Sequence, residues 1–410
     1  MRNSNKQLIN NTFHLYILTI VKMLLPLVTL PYLARVLSKD AYGVVTYVKT
    51  WMQYVQLLID FGFILSSTRL IVECNGNKKK IGNIIGDTLI EKCILSIVAL
   101  LILIIAVYNI QILKEYSLFV FTYYVSIFLT VFMFDFLFRG IEEMEKLSIP
   151  LIVSKIISTG LTFIFVKNDS HLELIALLEI IGNLIAVIIS LYFIKQKKII
   201  ISFSNYKKWF RDIIFSFNYF LSNFSTTVFG ALTTVITGIY LNTSDVASWG
   251  LCMQIVNAVK SIYSPIINGL YPYMIKNKNI KLINRINLTM GVLIFIGCII
   301  VFTAGRTIIV FIAGDKYYSS AIILLILLPV LIFSFYSMIY GWPVLGAIKK
   351  IRETTITTVF SALVQIVLIV FLIVTDKFNL FSLAIITSFS EFLLFVTRYI
   401  VYRYFRYLFK

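Results

Sequence analysis

An all-α membrane protein of about twelve transmembrane helices, with both termini cytoplasmic, is the fold class this sequence predicts, and three observations predict it. Of the 410 residues, 59% are hydrophobic and the mean hydropathy is +0.91, whereas ordinary soluble domains are about 45–50% apolar. Only 14% are charged, and these gather between apolar stretches. The lysines and arginines alternate between rich and poor loops along the chain, the pattern that bilayer topology imposes.

A bilayer core of about 30 Å takes about 20 apolar residues per helix. The first stretch, Phe13–Leu33, follows Arg2 and Lys6, contains Pro26 and Pro31, and is followed by no small-residue cleavage site. It reads as a retained helix rather than a signal peptide. Next come Val44–Ile64, Cys93–Ile110, Tyr116–Phe138, Ile149–Phe165 and Leu172–Ile194. The third of these has an alternative start near Ile81. The second half gives Ile213–Leu241, Trp249–Met274, Ile286–Thr303, Ala321–Gly341, Thr355–Val374 and Leu380–Tyr402. Gly305 and Arg306 interrupt an apolar region at Val301–Phe311. Prolines at 265 and 272 in the eighth span, and 329 and 343 in the tenth, predict bends there.

With the N-terminus inside, the cytoplasmic segments hold 25 of the 37 lysines and arginines, the outside loops 7, and five lie within or at the edge of spans. Arg398 is counted with the C-terminal cytoplasmic charges. The formal net charge of +18 is therefore mostly a topology signal, with some attraction to anionic inner-leaflet lipid. No nucleic-acid-binding motif accompanies it. Cys74, Cys93, Cys252 and Cys298 have no metal-ligand or disulfide spacing. No phosphate-binding GxxxxGK[ST] occurs, and no loop is long enough for an ATPase domain. No cofactor is expected, and energy would come from a gradient.

Charges inside lipid cost about 2.5–3.5 kcal/mol each on insertion scales, so they mark candidate functional positions. In the second span Lys49, Gln53, Gln56 and Asp60 share one helical face. In the eighth, Asn257, Lys260, Ser264 and Asn268 repeat the arrangement. Lys22 lies near the middle of the first span, and the seventh carries Asn218, Ser222, Ser225, Thr226, Thr233 and Thr237 along one side. Such stripes glue helices together or line a polar cavity. For the mid-span lysines the cavity is the better reading, although Lys49 and Lys155 are near enough to span ends to snorkel.

The acidic candidates, for ion coupling or for structural pairs, are Asp60, Asp135, Glu179 and Glu391. Arg139 at i+4 is a natural partner for Asp135. Asp60 has Arg69 or a neighbouring helix, Glu391 has Arg398 at i+7, and Glu179 has no local partner. Lys92 beside Glu91 reads as interfacial.

The turns SKDAYG (Ser38–Gly43) and SDVASWG (Ser244–Gly250) precede the second and eighth spans. They lie half a chain apart, at matching places in two sets of six spans. A parallel repeat of two six-helix bundles, 1–200 and 201–410, follows from this.

The run from Pro26 to Gly43, PLVTLPYLARVLSKDAYG, and the run Asp60–Arg69 resemble the Wzx-type polysaccharide flippases of the multidrug/oligosaccharidyl-lipid/polysaccharide (MOP) exporter superfamily. Tyr271–Pro272 and Ala313–Ala321 resemble motifs shared across that superfamily. The resemblance implies a MATE-like pair of bundles around a central cavity in the bacterial inner membrane. The substrate it implies is an undecaprenyl-diphosphate-linked oligosaccharide, with membrane lipid and other polysaccharide-assembly proteins as further partners. Relatives carry cationic cavity residues, and Lys22, Lys49 and Lys260 occupy comparable places. A diphosphate needs cations along its route, while Gln53, Gln56, Asn257, Ser264 and Asn268 suit sugar hydroxyls. The rivals are a multidrug antiporter of the same fold, which would favour an acidic cavity, and a glycan-assembly enzyme. The enzyme reading lacks the acidic pair or large outside loop it would need.

Overall fold

The computed structural model describes the backbone of residues 2–409, with side chains at all of these except 2–9, 12, 218, 222, 223 and 225–229. Among the described residues the chain is helical, without a strand. It packs as two compact units, 1–239 and 240–410.

The first unit comprises α1 (Arg2–Val36), α2 (Lys39–Asp60), α3 (Phe63–Glu73), α4 (Lys78–Asn109), α5 (Gln111–Glu115), α6 (Ser117–Leu129), α7 (Asp135–Gly140), α8 (Met144–Phe165), α9 (Leu172–Lys197) and all but the last residue of α10 (Tyr206–Tyr240). The second comprises α11 (Thr243–Asn277), α12 (Ile280–Ala313), α13 (Ser320–Ile326), α14 (Leu328–Ile339), a π-helical turn at Tyr340–Leu345, α15 (Ile351–Val374) and α16 (Leu380–Tyr404).

Among the described residues ten helical segments are long and apolar enough to cross a bilayer. Two more, α10 and α11, are 35 residues each. Each expected span falls on its own segment. Two differ in extent. α4 begins at Lys78, where Asn77 caps it by accepting from the amides of Lys79 and Lys80. Asp87, Glu91 and Lys92 therefore lie inside a helix rather than at its edge. α12 runs unbroken through Gly305 and Arg306.

The second and fourth spans are broken. Between α2 and α3, Phe61 (φ 37°) and Gly62 (φ 81°) are both left-handed. Glycine is required at 62, because a Cβ there would lie 2.6 Å from the Tyr219 Cβ of α10. Phe61 stacks on Phe220 with ring centroids 4.5 Å apart. Between α6 and α7 a tight turn at Thr130–Met133 ends in left-handed Phe134 (φ 52°). The two short distal helices then pair, with the Thr68 hydroxyl donating to the Phe136 carbonyl at 3.1 Å. Neither break contains a proline, whereas the tenth span is interrupted where its prolines predict, between α13 and α14 beside Pro329 and at the π-helical turn that holds Pro343. The prolines of α1 and α11 sit inside continuous helices.

Residues 199–205, between α9 and α10, run in extended form across α4. Gly82 and Gly86 leave room for them: a Cβ at either would lie about 2 Å from the carbonyl oxygens of Ile200 (2.0 Å) and Ser202 (2.2 Å). The Ser202 amide donates to Gly82 O at 3.2 Å, and its hydroxyl bonds Asn83 Oδ1. Asp87, 2% exposed, then accepts from the Ser204 amide (2.7 Å), the Lys208 ammonium (2.7 Å) and the Trp209 indole (2.9 Å). α8 meets α9 through small residues, where Ser154 donates to Asn183 and Asn183 donates to Ser126 O.

In the second unit Tyr340, Phe395, Tyr399 and Tyr402 form one aromatic cluster. Arg398 of α16 is buried, 9% exposed. It donates to Ser337 O at 2.6 Å and Thr358 Oγ1 at 2.8 Å. Gly341 of the π-helical turn makes room for its guanidinium. Arg398 is thus a packed intrahelical residue, not a loop charge. The helix starts echo each other: Tyr42 at the head of α2 and Trp249 at the head of α11 are both buried beside a buried glycine.

Candidate functional site

The intramembrane charges collect into three clusters, each within one unit. The first lies at the α2–α3 break. The Lys92 ammonium of α4 bonds Asp60 Oδ1 at 2.8 Å. Gln56 donates to Asp60 Oδ2 at 2.8 Å and accepts from Thr130 at 3.1 Å. The charges acting on Asp135 are those of Lys92, Asp60, Lys22 and Arg139. Three cations and two carboxylates are thus within electrostatic reach of one another, an excess of one positive charge, with Lys92–Asp60 the one ion pair formed among these described side chains. The break positions this cluster, because α2 ends at Asp60 and Phe61–Gly62 turn the chain aside.

The second cluster joins α2, α8 and α9. The Lys155 ammonium bonds Glu179 Oε2 at 2.8 Å. Half-buried Lys49 makes no hydrogen bond or ion pair with any described residue, and the charges acting on it are Glu179 and Lys155. Two cations share one carboxylate, again an excess of one. The third cluster lies in the second unit. The Lys260 ammonium of α11 bonds Glu391 Oε1 of α16 at 2.5 Å, and Glu391 is also the charge acting on Arg398. The same two-to-one ratio recurs.

The polar stripes divide by role. Gln56 is committed to Asp60 and Thr130, so it ties helices together. Gln53 on α2, and Asn257 and Asn268 on α11, are exposed and Ser264 is half-exposed, with no hydrogen bond to any described residue. Lys22 is exposed on α1. In α10, Thr233 and Thr237 are buried, and Thr237 bonds the Thr233 carbonyl within its own helix. Asn218, Ser222, Ser225 and Thr226 lie outside the described side chains.

Of the two partners open to Asp60, the neighbouring helix supplies it through Lys92, and Arg69 bonds Glu73 at 2.8 Å, one turn on. Glu391 pairs with Lys260 rather than Arg398. Glu179, which has no local partner, is paired across helices with Lys155, whose side chain is 43% exposed. No ion pair within 4 Å joins Asp135 to Arg139, and nothing in the packing explains why. Lys92, read as interfacial, is 4% exposed. The Asn77 cap was the local signal that could have moved the start of α4 and placed Lys92 inside the bundle.

The family described as "Polysaccharide biosynthesis protein" matches residues 8–278. The chain is 25% identical over 351 residues to "Putative O-antigen transporter" of Escherichia coli (strain K12), covering 83% of this chain and 84% of that protein. Among solved structures it resembles "Lipid II flippase MurJ, inward closed conformation", with TM-score 0.68 and 14% identity, over 96% of this chain and 87% of that one. It also resembles an inward-facing multidrug resistance MATE family transporter of the MOP superfamily, with TM-score 0.64 and 12% identity, over 95% and 98% of the two chains. The fold is therefore that of the MATE and MurJ transporters.

Proposed function

The chain belongs to the polysaccharide biosynthesis protein family, and from that premise we propose that it is a flippase. It carries undecaprenyl-diphosphate-linked oligosaccharide from the inner to the outer leaflet of the bacterial cytoplasmic membrane, by alternating access and with an ion gradient as the energy source. The observation that carries this reading is the recurrence of clusters with one cation in excess. A diphosphate brings negative charge into a region where an unpaired anion is costly, and clusters of net positive charge lower that cost without requiring the protein to bury lone lysines. Asp60, Glu179 and Glu391 keep their lysines charged and oriented between substrates, and the substrate's phosphate competes for the same ammonium groups.

Lys22, Lys49 and Lys260 are the diphosphate contacts in this reading. Gln53, Asn257, Ser264 and Asn268, whose hydrogen-bonding groups are uncommitted, face the sugar. Six membrane-crossing segments before the 199–205 linker and six after it form the two halves, with both termini cytoplasmic. The polyprenyl tail stays in lipid. An excess of cations disfavours a cationic drug as cargo. The transport relatives also argue against a glycan-assembly enzyme.

The test is complementation of a strain lacking its own flippase and carrying a defined surface glycan. The wild-type chain is expected to restore the polymer. Replacing Lys22, Lys49 and Lys260 together by Gln is expected to abolish rescue while leaving membrane insertion intact. Full rescue by the triple variant would remove these lysines from substrate handling.

A further inference from the structure

Outside the three clusters, one buried carboxylate has no cation of its own. Glu91 of α4 is 1% exposed, and its Oε1 meets no hydrogen-bond donor among the described residues. It lines a cavity of about 10 Å³ between α3, α4 and the start of α10, which it shares with Asp87, Asp212, Ser66, Ser67, Thr88 and Ser216. That is about the room one water-sized particle takes.

The surrounding groups do not satisfy it. Ser66 and Ser216 hydrogen-bond each other at 2.7 Å, and Ser67 and Thr88 at 3.0 Å. Each hydroxyl pair uses one of its two protons internally, and the Ser66 hydroxyl also reaches Gly62 O at 3.4 Å; all four oxygens keep lone pairs that can be turned to the cavity. The charged residues nearby are Asp87 on α4 and Lys208, Arg211 and Asp212 on α10; α3 contributes only hydroxyls. Lys208 is committed to Asp87 at 2.7 Å. Arg211 is largely exposed and stands 3.9 Å from Asp212. Three carboxylates thus meet two cations beside a ring of hydroxyls, and neither cation pairs with Glu91. Hard oxygen donors of this kind suit a small cation and exclude an anion.

We propose that this cavity is a binding site for one small monovalent cation, sodium or hydronium, held between Glu91 and Asp212 with the serine and threonine hydroxyls completing its shell. Occupied, the site joins the start of α10 to α3 and α4. Emptied, it sets two carboxylates against each other across that same contact. The site supplies the coupling ion that the flippase reading calls for, and rests on that reading only for its role in transport.

The test uses the purified full-length chain in detergent. Its thermal unfolding midpoint is compared in sodium chloride and in N-methylglucamine chloride at equal ionic strength, across neutral and acidic pH. A ligand of the folded state raises the midpoint with concentration. Sodium binding predicts a sodium-dependent rise that Glu91→Gln and Asp212→Asn both lose. Hydronium binding predicts no sodium dependence and a rise on acidification that both variants lose. Identical responses of the wild type and both variants to sodium and to pH would overturn the proposal. Should Glu91→Gln not yield folded protein, Asp212→Asn and saturable binding of radiolabelled sodium or proton uptake by the wild type decide; absence of both kinds of binding overturns it. A wild type that binds the cation but moves no lipid-linked oligosaccharide in vesicles defeats the flippase reading and leaves the site standing. One that flips without any cation response does the reverse.

Discussion

Lys92 and Asp60 stand 2.8 Å apart with their side chains 5% and 23% exposed. Removing one member of such a pair leaves the other buried and uncompensated, at a cost of about 3–5 kcal/mol. Lys92→Met is therefore expected to lower the thermal midpoint of the detergent-purified chain sharply, and Lys92→Met with Asp60→Asn to recover most of the loss. Arg69–Glu73 is the internal control. Its side chains are 61% and 54% exposed, and an exposed pair is worth about 0–1 kcal/mol, so Arg69→Ala should leave the midpoint nearly unchanged. A third pairing, outside the spans, is open to pH. Partial burial pushes the Glu143 carboxyl up, but hydrogen bonds from Lys197 and Lys146 together outweigh it and hold the group below the usual carboxylate range. A carboxyl depressed in the fold contributes stability that is fully present above its unfolded value, about 4.3, and is lost as pH falls through the folded one. The wild type should exceed Glu143→Gln in stability at neutral pH, with the gap closing in acid; a gap independent of pH would refute this assignment.

At the scale of elements, the junctions carry the argument. Proline, the sequence's signal for bending, marks the tenth span, where α13 gives way to α14 beside Pro329 and the π-helical turn holds Pro343; α1 and α11 stay helical through their prolines, and the two breaks of the first unit fall at Phe61–Gly62 and Phe134 without one. The first turn is held by Tyr219, Phe220 and Lys92 and the second by Ser190, which donates to Met133 O at 2.6 Å, all remote in the chain. Gly62→Ala combines left-handed strain with a 2.6 Å contact, and is expected to destabilise by more than about 1 kcal/mol, read as a lower thermal midpoint. The linker 199–205 is a second case. The lysines that flank it, Lys197, Lys198, Lys207 and Lys208, mark an ordinary basic loop, but the linker itself carries no charge, and the approach of its carbonyls to Gly82 and Gly86 shows that it is docked. Leu at Gly82 or Gly86 should lift it from α4. Limited trypsin digestion would then cut at Lys197, Lys198, Lys207 or Lys208 far faster than in the wild type; equal rates would mean that the glycines do not hold the linker.

At the scale of the whole molecule, the bias of 25 basic residues against 7, or 24 without the buried Arg398, predicts cytoplasmic termini. A fluorescent protein fused after Lys410 should fluoresce, and alkaline phosphatase fused there should be inactive, whereas phosphatase inserted in the Ser38–Gly43 turn should be active. The reverse pattern would invert the topology and, with it, the direction of transport proposed above.

The sequence by itself determined the class of fold, the order and approximate placement of the helices, and which residue types sit inside them. Those follow from bilayer thickness and side-chain transfer energies, which act residue by residue and can be summed along a chain. Tertiary structure alone decided which carboxylate meets which lysine. Asp60 and Lys92 are 32 residues apart, Lys155 and Glu179 are 24, and Lys260 and Glu391 are 131. Helical periodicity relates only neighbours three or four apart; beyond that reach, partners are chosen by how helices pack. Glu91 gave no local sign of its cavity for the same reason: Ser66 and Ser67 come from α3, and Asp212 and Ser216 from α10, both brought to α4 only by packing.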